Sequence, residues 1–206
     1  MLQSVHHLPM TPKLFYQEYQ YNIILTPIIT PMIDTQKGGE RATVQLVDVK
    51  KQGDTYSFDF KNFRRYVDVC LKNGIEAFEI SHFFTQWGAK HAPKIMATVN
   101  GKEKRIFGWE TKASGKPYRT FLEAFASAFK KEVEELGIKD RCWLHVSDEP
   151  NETQIKEYKK AANAESTLLV KLWIGDRREI DPWGLVIRHK EQRYKTASPM
   201  CAHERE

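Results

Sequence analysis

The chain has 206 residues, of which 41% are hydrophobic, 29% charged and 12% aromatic, and 32 Lys+Arg against 27 Asp+Glu leave a net charge of +5. A chain of this kind buries about 70% of its unfolded surface, which excludes a disordered or fibrous protein and any need for a disulfide or metal staple. It is also shorter than the roughly 250 residues of a complete (β/α)8 barrel.

Residues 1–9 have neither a basic n-region nor an apolar h-region, so no signal peptide is expected and the chain as written reads as cytoplasmic. Residues 21–25, ahead of Thr26-Pro27, read as a first strand. Residues 42–49 and 56–60 read as a hairpin turned at Gln52-Gly53-Asp54. Over 62–73 the apolar groups Phe63, Tyr66, Val67, Cys70 and Leu71 follow the spacing of an amphipathic helix, which Gly74 ends with a left-handed cap. The run 75–80 is a strand that stops at Ser81-His82. The same grammar returns: residues 118–136 carry Phe121, Leu122, Phe125, Phe129, Val133 and Leu136 on one stripe, Gly137 closes the helix, and 142–146 is a strand ending in Ser147-Asp148-Glu149-Pro150. A third helix starts with Asn151 as N-cap and turns Ile155, Tyr158 and Ala162 inward.

Alternating strands and helices predict a parallel sheet covered by helices, in which ligands bind beyond the carboxyl ends of the strands. The places to inspect are therefore Thr26-Pro27, Ser81-His82 and Ser147-Asp148-Glu149-Pro150. The connection 81–117 is long and rich in aromatics, with His82, Phe83, Phe84, Trp87, His91 and Trp109. Loops of that length are mostly functional or disordered. Two readings fit it: aromatic faces for a sugar ring, or a hairpin of 95–99 with 104–107 turned at Asn100-Gly101 whose aromatics form a small core of their own.

The basic residues are interleaved with acids, as in Lys130-Lys131-Glu132-Val133-Glu134-Glu135, which marks a solvated helix face and argues against a nucleic-acid partner. The longest apolar runs, near 23–25 and 168–173, fall far below the roughly 20 residues of a spanning helix, so no membrane partner is expected. Three cysteines, Cys70, Cys142 and Cys201, without CxxC spacing indicate a reducing compartment or no redox role.

Asp148-Glu149 is the sharpest chemical feature. Pro150 biases Glu149 toward extended backbone, and two adjacent carboxylates cannot both ionise freely, so one is pushed toward the pKa of a general acid near neutrality. Ordinary glycosidases take their two carboxylates from separate positions across the sugar. Consecutive carboxylates suit substrate-assisted hydrolysis, in which the sugar's 2-acetamido oxygen is the nucleophile.

Several motifs in one order carry a resemblance: Thr30-Pro31 through Asp34-Thr35, Glu40-Arg41 with Val44-Gln45-Leu46-Val47, Gly74 through His82, Thr85-Gln86-Trp87-Gly88-Ala89, Ala92-Pro93-Lys94-Ile95, Phe107-Gly108-Trp109 and His145-Val146-Ser147-Asp148-Glu149-Pro150. Over roughly residues 20–163 the chain resembles the catalytic domain of glycoside hydrolase family 123. The resemblance implies a TIM-like barrel, usually preceded by a β-sandwich domain, and β-N-acetylgalactosaminidase activity by a substrate-assisted retaining mechanism without cofactor or metal. It makes Asp148 the stabiliser of the 2-acetamido group and Glu149 the general acid/base. It favours the ligand reading of the aromatic loop, with His82, Trp87 and Trp109 as sugar contacts, although either tryptophan also suits a loop anchor. Arg41 and Gln45 follow the first strand and either reach the substrate or brace the loop.

The departures are the absent sandwich domain and the loss of resemblance after Asn163, where 168–173 reads as a fourth strand and 175–206 as a polar tail. The expected organisation is an N-terminal segment 1–19, a partial catalytic barrel 20–163 and a divergent tail 164–206. The expected fold is α/β, the N-terminal half of a TIM-like barrel with a β-hairpin in its long loop. A half-barrel exposes two sheet edges, so the chain, expected to be truncated, is expected to be poorly stable or to self-associate through them, and to be impaired in hydrolysis. The alternative function is a non-catalytic carbohydrate-binding fragment. A metal-dependent hydrolase built on His82, His91, His145, Asp148 and Glu149 lacks a supporting spacing, and Ser147 is not in a GxSxG elbow.

Overall fold

A computed structural model of the chain describes residues 22–32, 35–85 and 89–144. The readings made on 1–21, Trp87, residues 145–150, the third helix, the strand at 168–173 and the tail lie outside the described residues.

In chain order the elements are β1 (Ile23–Thr26), β2 (Asp48–Gln52), β3 (Thr55–Asp59), α1 (Lys61–Lys72), β4 (Ala77–Ile80), β5 (Ile95–Val99), β6 (Lys102–Phe107), α2 (Lys116–Glu135), a 3-10 turn (Lys139–Arg141) and β7 (Cys142–Leu144). β1, β4 and β7 form a parallel sheet with β4 in the centre. The hairpins β2–β3 and β5–β6 join through the parallel pair β2–β5 into a second sheet of order β3-β2-β5-β6. The fold is mixed α/β, and each step of the parallel sheet runs strand, hairpin, helix, strand. Among the described residues both sheets are open.

Both helices return to the sheet by the same device. Gly74, at φ 89°, lets its own N–H reach Leu71 O and the Ile75 N–H reach Cys70 O; Gly137, at φ 66°, does the same with Glu134 O and Val133 O for itself and Ile138. These are Schellman closures, and the apolar pairs Cys70/Ile75 and Val133/Ile138 that accompany them are buried. Because the Ile75 N–H closes the helix, β4 begins at Ala77 and not at residue 75. The hairpin β5–β6 turns on Asn100 and Gly101, both at positive φ (52° and 75°), the type I′ geometry that Asn-Gly favours. That two-residue turn pairs Val99 with Lys102, so β6 starts two residues earlier than its apolar pattern indicated.

The strand expected over 42–49 is present only from Asp48. The Leu46 and Val47 N–H groups bond to Pro27 O (3.0 Å) and Ile28 O (3.4 Å), which ties this stretch to the segment after β1 and leaves it irregular. Leu71, placed on the inner stripe of α1 by periodicity, is 37% exposed; Phe63, Val67 and Cys70 are buried there.

The core is organised on one face of α2. Tyr118, Phe121, Phe125 and Phe129 stack ring on ring at centroid spacings of 6.0, 5.8 and 5.4 Å. Tyr56 and Phe58 of β3 meet Phe121 edge-on, Phe63 of α1 meets Phe129, and Phe83 meets Phe125. Phe84 and Phe107 close on Tyr118, whose hydroxyl donates to Phe83 O. Phe83, Phe84 and Phe107 of the 81–117 connection therefore join the main core and do not make a separate one. Phe125 is fully buried and touches Phe58, Phe60, Phe83, Phe121 and Phe129. Phe125→Ala is expected to cost about 3–5 kcal/mol of stability, measured as a lowered urea midpoint.

One ion pair locks the helices together. Arg64 of α1 grips Glu132 of α2 with two nitrogens, at 2.6 and 2.7 Å, and reaches Glu135 at 2.8 Å. Glu132 is only 6% exposed. Burial pushes its carboxyl above the usual range, Arg64 pulls it back, and Glu135 and Asp59 add to the rise. A carboxyl raised by folding contributes most below its unfolded pKa and loses that contribution as pH rises through the folded value. Without Arg64 the loss is larger, because the buried charge is unpaired. Arg64→Met is therefore expected to lower the melting temperature clearly at pH 7 and less as the pH falls and Glu132 takes up a proton in both proteins; a loss that does not change with pH would contradict this account.

Candidate active site at the strand ends

The parallel sheet presents its carboxyl ends level with one another. Thr26 is opposite Ile80, and Ile80 is opposite Leu144. The segments leaving β1 and β4 are stitched together directly beyond these residues. The Ser81 N–H bonds to Thr26 O (3.1 Å), and the Ser81 hydroxyl donates to Ile29 O (3.1 Å) while accepting from Ile29 N (3.3 Å). His82 follows, buried. Thr30, 1% exposed, has a hydroxyl with no hydrogen-bond partner among the described residues. Ser81 acts as a cross-link between two loops, a role visible in the sequence only as a hydroxyl at the end of a strand.

Past Phe84 the connection from β4 is pinned at both ends of its next excursion. The Thr85 N–H bonds to His91 O (3.0 Å), and the His91 N–H bonds to the Thr85 hydroxyl (3.3 Å). A bridge pairs His91 with Lys112, flanked by Ala92 N to Thr111 O and Ala113 N to Lys90 O. Ala89 sits at φ 56°, an uncommon conformation for a residue with a side chain. The His91 ring lies against the half-buried Trp109, centroids 5.9 Å apart.

Trp109, Arg41 and Gln45 belong to one ribbon, in which residues 36–45 lie along the β5–β6 hairpin. The Trp109 indole N–H donates to Gly39 O at 2.8 Å. Glu40 pairs with Arg105 and with Lys94, and Lys94 donates to Arg41 O at 3.2 Å. Gln45 reads the β5 backbone as a strand residue would: its amide oxygen accepts from Met96 N (3.0 Å), and its amide nitrogen donates to Met96 O (3.0 Å) and Val47 O (2.8 Å). Gln45 thus braces the β5 backbone and Trp109 is tied to Gly39 through its nitrogen, while the Trp109 ring is half-buried. The 51-residue separation of Gln45 from Met96 leaves no local signal for this brace.

His82 stands at the sheet end, and Arg41, Gln45 and Trp109 stand on the ribbon; Trp87, Asp148 and Glu149 lie outside the described residues. Among the described residues no three His, Cys, Asp or Glu side chains gather as a metal-binding group. Burial pushes the Cys142 thiol up to about 12, with Asp140 adding, and also raises Cys70, which disfavours the thiolate at both positions. No described helix is long and apolar enough to cross a membrane.

The arrangement is that of an α/β domain with Ser81 and His82 at the carboxyl end of a parallel sheet and with Arg41, Gln45 and Trp109 on a ribbon along the hairpin of the second sheet. Comparison with protein families matches residues 7–171 to the glycoside hydrolase 123, catalytic domain. The chain belongs to glycoside hydrolase family 123, which implies a glycoside hydrolase with a carbohydrate substrate; the match extends beyond the 20–163 span that holds the motifs. Comparison with curated proteins gives no match.

Gln45→Leu keeps the length of the side chain but strips the Met96 N–H and C=O of their partner. A loss of about 1–3 kcal/mol is expected, with faster hydrogen exchange at the Met96 amide; unchanged exchange there would show that the brace carries no weight.

Proposed function

We propose that this domain hydrolyses terminal β-N-acetylgalactosaminides by a substrate-assisted retaining mechanism. The observation that supports this most is the position of Asp148-Glu149 in a chain of this family. The pair begins four residues after Leu144, the end of β7, and at about 3.4 Å per residue the backbone carries Asp148 no farther than roughly 14 Å from it.

In this reading the substrate's acetamido oxygen attacks the anomeric carbon as the glycosidic C–O bond breaks. Glu149 delivers its proton to the leaving oxygen. Asp148 orients the acetamido N–H and offsets the positive charge of the oxazolinium ring. Water then attacks the same carbon and yields its proton to Glu149, which resets the acid and leaves the anomeric configuration retained. The non-catalytic sugar-binding alternative shares the loops and lacks these steps.

The test uses the full chain with a β-N-acetylgalactosaminide disaccharide and with its nitrophenyl counterpart. Glu149→Gln is expected to lower whatever rate the chain shows on the disaccharide about 10²–10⁴-fold, and to lower it less on the nitrophenyl glycoside, whose leaving group needs little protonation. Asp148→Asn is expected to slow both substrates alike. A wild-type rate in Glu149→Gln on the disaccharide overturns the assignment, and sugar binding without turnover by the wild type favours the alternative.

A further inference from the structure

We propose that Lys51, Lys102 and Lys104 form a docking pad for an acidic glycan, a sugar chain that carries carboxylate or sulfate groups, on the α2-facing side of the second sheet. The pad is independent of the catalytic assignment of Asp148 and Glu149 and takes from the family only its carbohydrate substrate.

The four strands of this sheet sort their charges by face. Lys51 is opposite Tyr56 on one side and Val99 on the other, Val99 is opposite Lys102, and Ala97 is opposite Lys104. Residues directly opposite one another share a face, so all three lysines belong to the side on which Tyr56 and Phe58 meet α2. The acids of the same strands, Asp48, Asp59 and Glu103, fall on the other side with Lys50 and Arg105. Arg105 is neutralised there by Glu40 and Glu110. Lys51, Lys102 and Lys104 have no ion pair among the described residues. Lys102 and Lys104 are exposed; Lys51 is half-buried, with its ammonium 5.9 Å from the Tyr56 ring centroid and donating to Gly53 O.

Two strands of separation put the Lys51 backbone about 10 Å from that of Lys102, and two residues put Lys104 about 7 Å from it. These spacings are at or under the Debye length of about 10 Å at 0.1 M salt, so the three charges repel one another, and an anion relieves that repulsion. The size of the pad selects the ligand. A duplex binder making about 6–10 phosphate contacts and a membrane-binding cluster of about 4–8 basic residues both need more cations, whereas three suit a short run of acidic sugars. Val99, between Lys51 and Lys102, offers the apolar face of a sugar ring a contact between the charges. Lysines on an edge strand such as β6 also discourage strand pairing, but that role does not call for Lys51, which stands on the interior strand β2.

The experiment titrates the full chain with a labelled oligosaccharide in which N-acetylgalactosamine alternates with a uronic acid, and with the same oligosaccharide after its carboxyl groups are reduced to alcohols. Fluorescence anisotropy at low salt reads both affinities for three proteins: the wild type, the triple substitution Lys51→Gln, Lys102→Gln and Lys104→Gln, and a control, Lys37→Gln, Lys50→Gln and Lys61→Gln, which removes the same charge elsewhere. The wild type is expected to prefer the acidic glycan about tenfold, the control to keep that preference and the pad variant to lose it. Equal affinities for the two glycans, or equal losses in the two variants, overturn the proposal, as does a DNA duplex that displaces the acidic glycan at equal charge concentration. Lysines that only guard the sheet edge would leave the glycan affinity of the pad variant unaltered while making it aggregate, and that result overturns it as well. Should the pad variant fail to fold, ammonium-detected NMR of the wild type decides: the acidic glycan is expected to shift the Lys51, Lys102 and Lys104 signals and not that of Lys50, and no shift overturns the pad. Pad-dependent binding without hydrolysis of the disaccharide removes the proposed activity and leaves the pad standing. Hydrolysis without a pad-dependent preference removes only the pad, and a wild type that neither binds nor hydrolyses removes both.

Discussion

The stack of Tyr118, Phe121, Phe125 and Phe129 along α2 is the contact on which the other parts of this molecule converge. A two-stranded hairpin is marginal in water, and this fold inserts one into each of its strand-to-helix connections. Neither hairpin has a hydrophobic layer of its own. Joined through β2 and β5, they make a four-stranded sheet with one apolar face, and α2 supplies the surface that buries it through Tyr56, Phe58 and Phe107. The lower end of the same stack meets Phe60, just before α1, and Phe63 within it. One helix face thereby holds both the second sheet and the companion helix.

Above this apolar layer the backbone is handled differently. Loops over the ends of a parallel sheet carry N–H and C=O groups that no ladder satisfies, and buried ones must find partners. Here side chains supply partners: Ser81 serves both polar groups of Ile29 beyond β1, while on the second sheet Gln45 serves both of Met96 in β5 and Trp109 the carbonyl of Gly39. Such braces make loops rigid without making them regular. A rigid loop can hold a functional group to the tolerance that chemistry requires, which is why the polar and aromatic groups placed here carry more information than their count suggests.

Much of the scaffold was legible because it obeys local rules. The two Schellman glycines, the Asn-Gly turn and the stripe on α2 are each written in a few neighbouring residues, and the structure places all of them where the pattern put them. What was not legible is non-local. The loss of the strand over 42–47 follows from bonds to Pro27 and Ile28, and Phe83, Phe84 and Phe107 became core because α2 lies beneath them. The exposure of Leu71 follows from the same geometry, since a stripe read by spacing alone is wider than the surface available to cover it. Of the candidate site, the sequence indicated the strand ends and the residues on them but not which ones are tied to backbone. Gln45 and Trp109 look alike as polar-tipped loop residues until their partners are seen.

The register of the parallel sheet connects these layers to the chemistry. Because both crossovers close with the same glycine device, each delivers its strand with little slack, and the three strands finish level: Thr26 beside Ile80 beside Leu144. A one-residue slip would send every side chain of a strand to the opposite face and would displace its loop by about 3.3 Å, more than a hydrogen bond tolerates. The Ser81 contacts to Ile29 and Thr26 are close enough to be lost by such a slip, so they report that the register of β1 against β4 is held. Any group borne on a loop that leaves this level starts from a fixed floor. The chain beyond Leu144 leaves from that floor, and the Asp148-Glu149 pair of this glycoside hydrolase family member lies only a few residues along it.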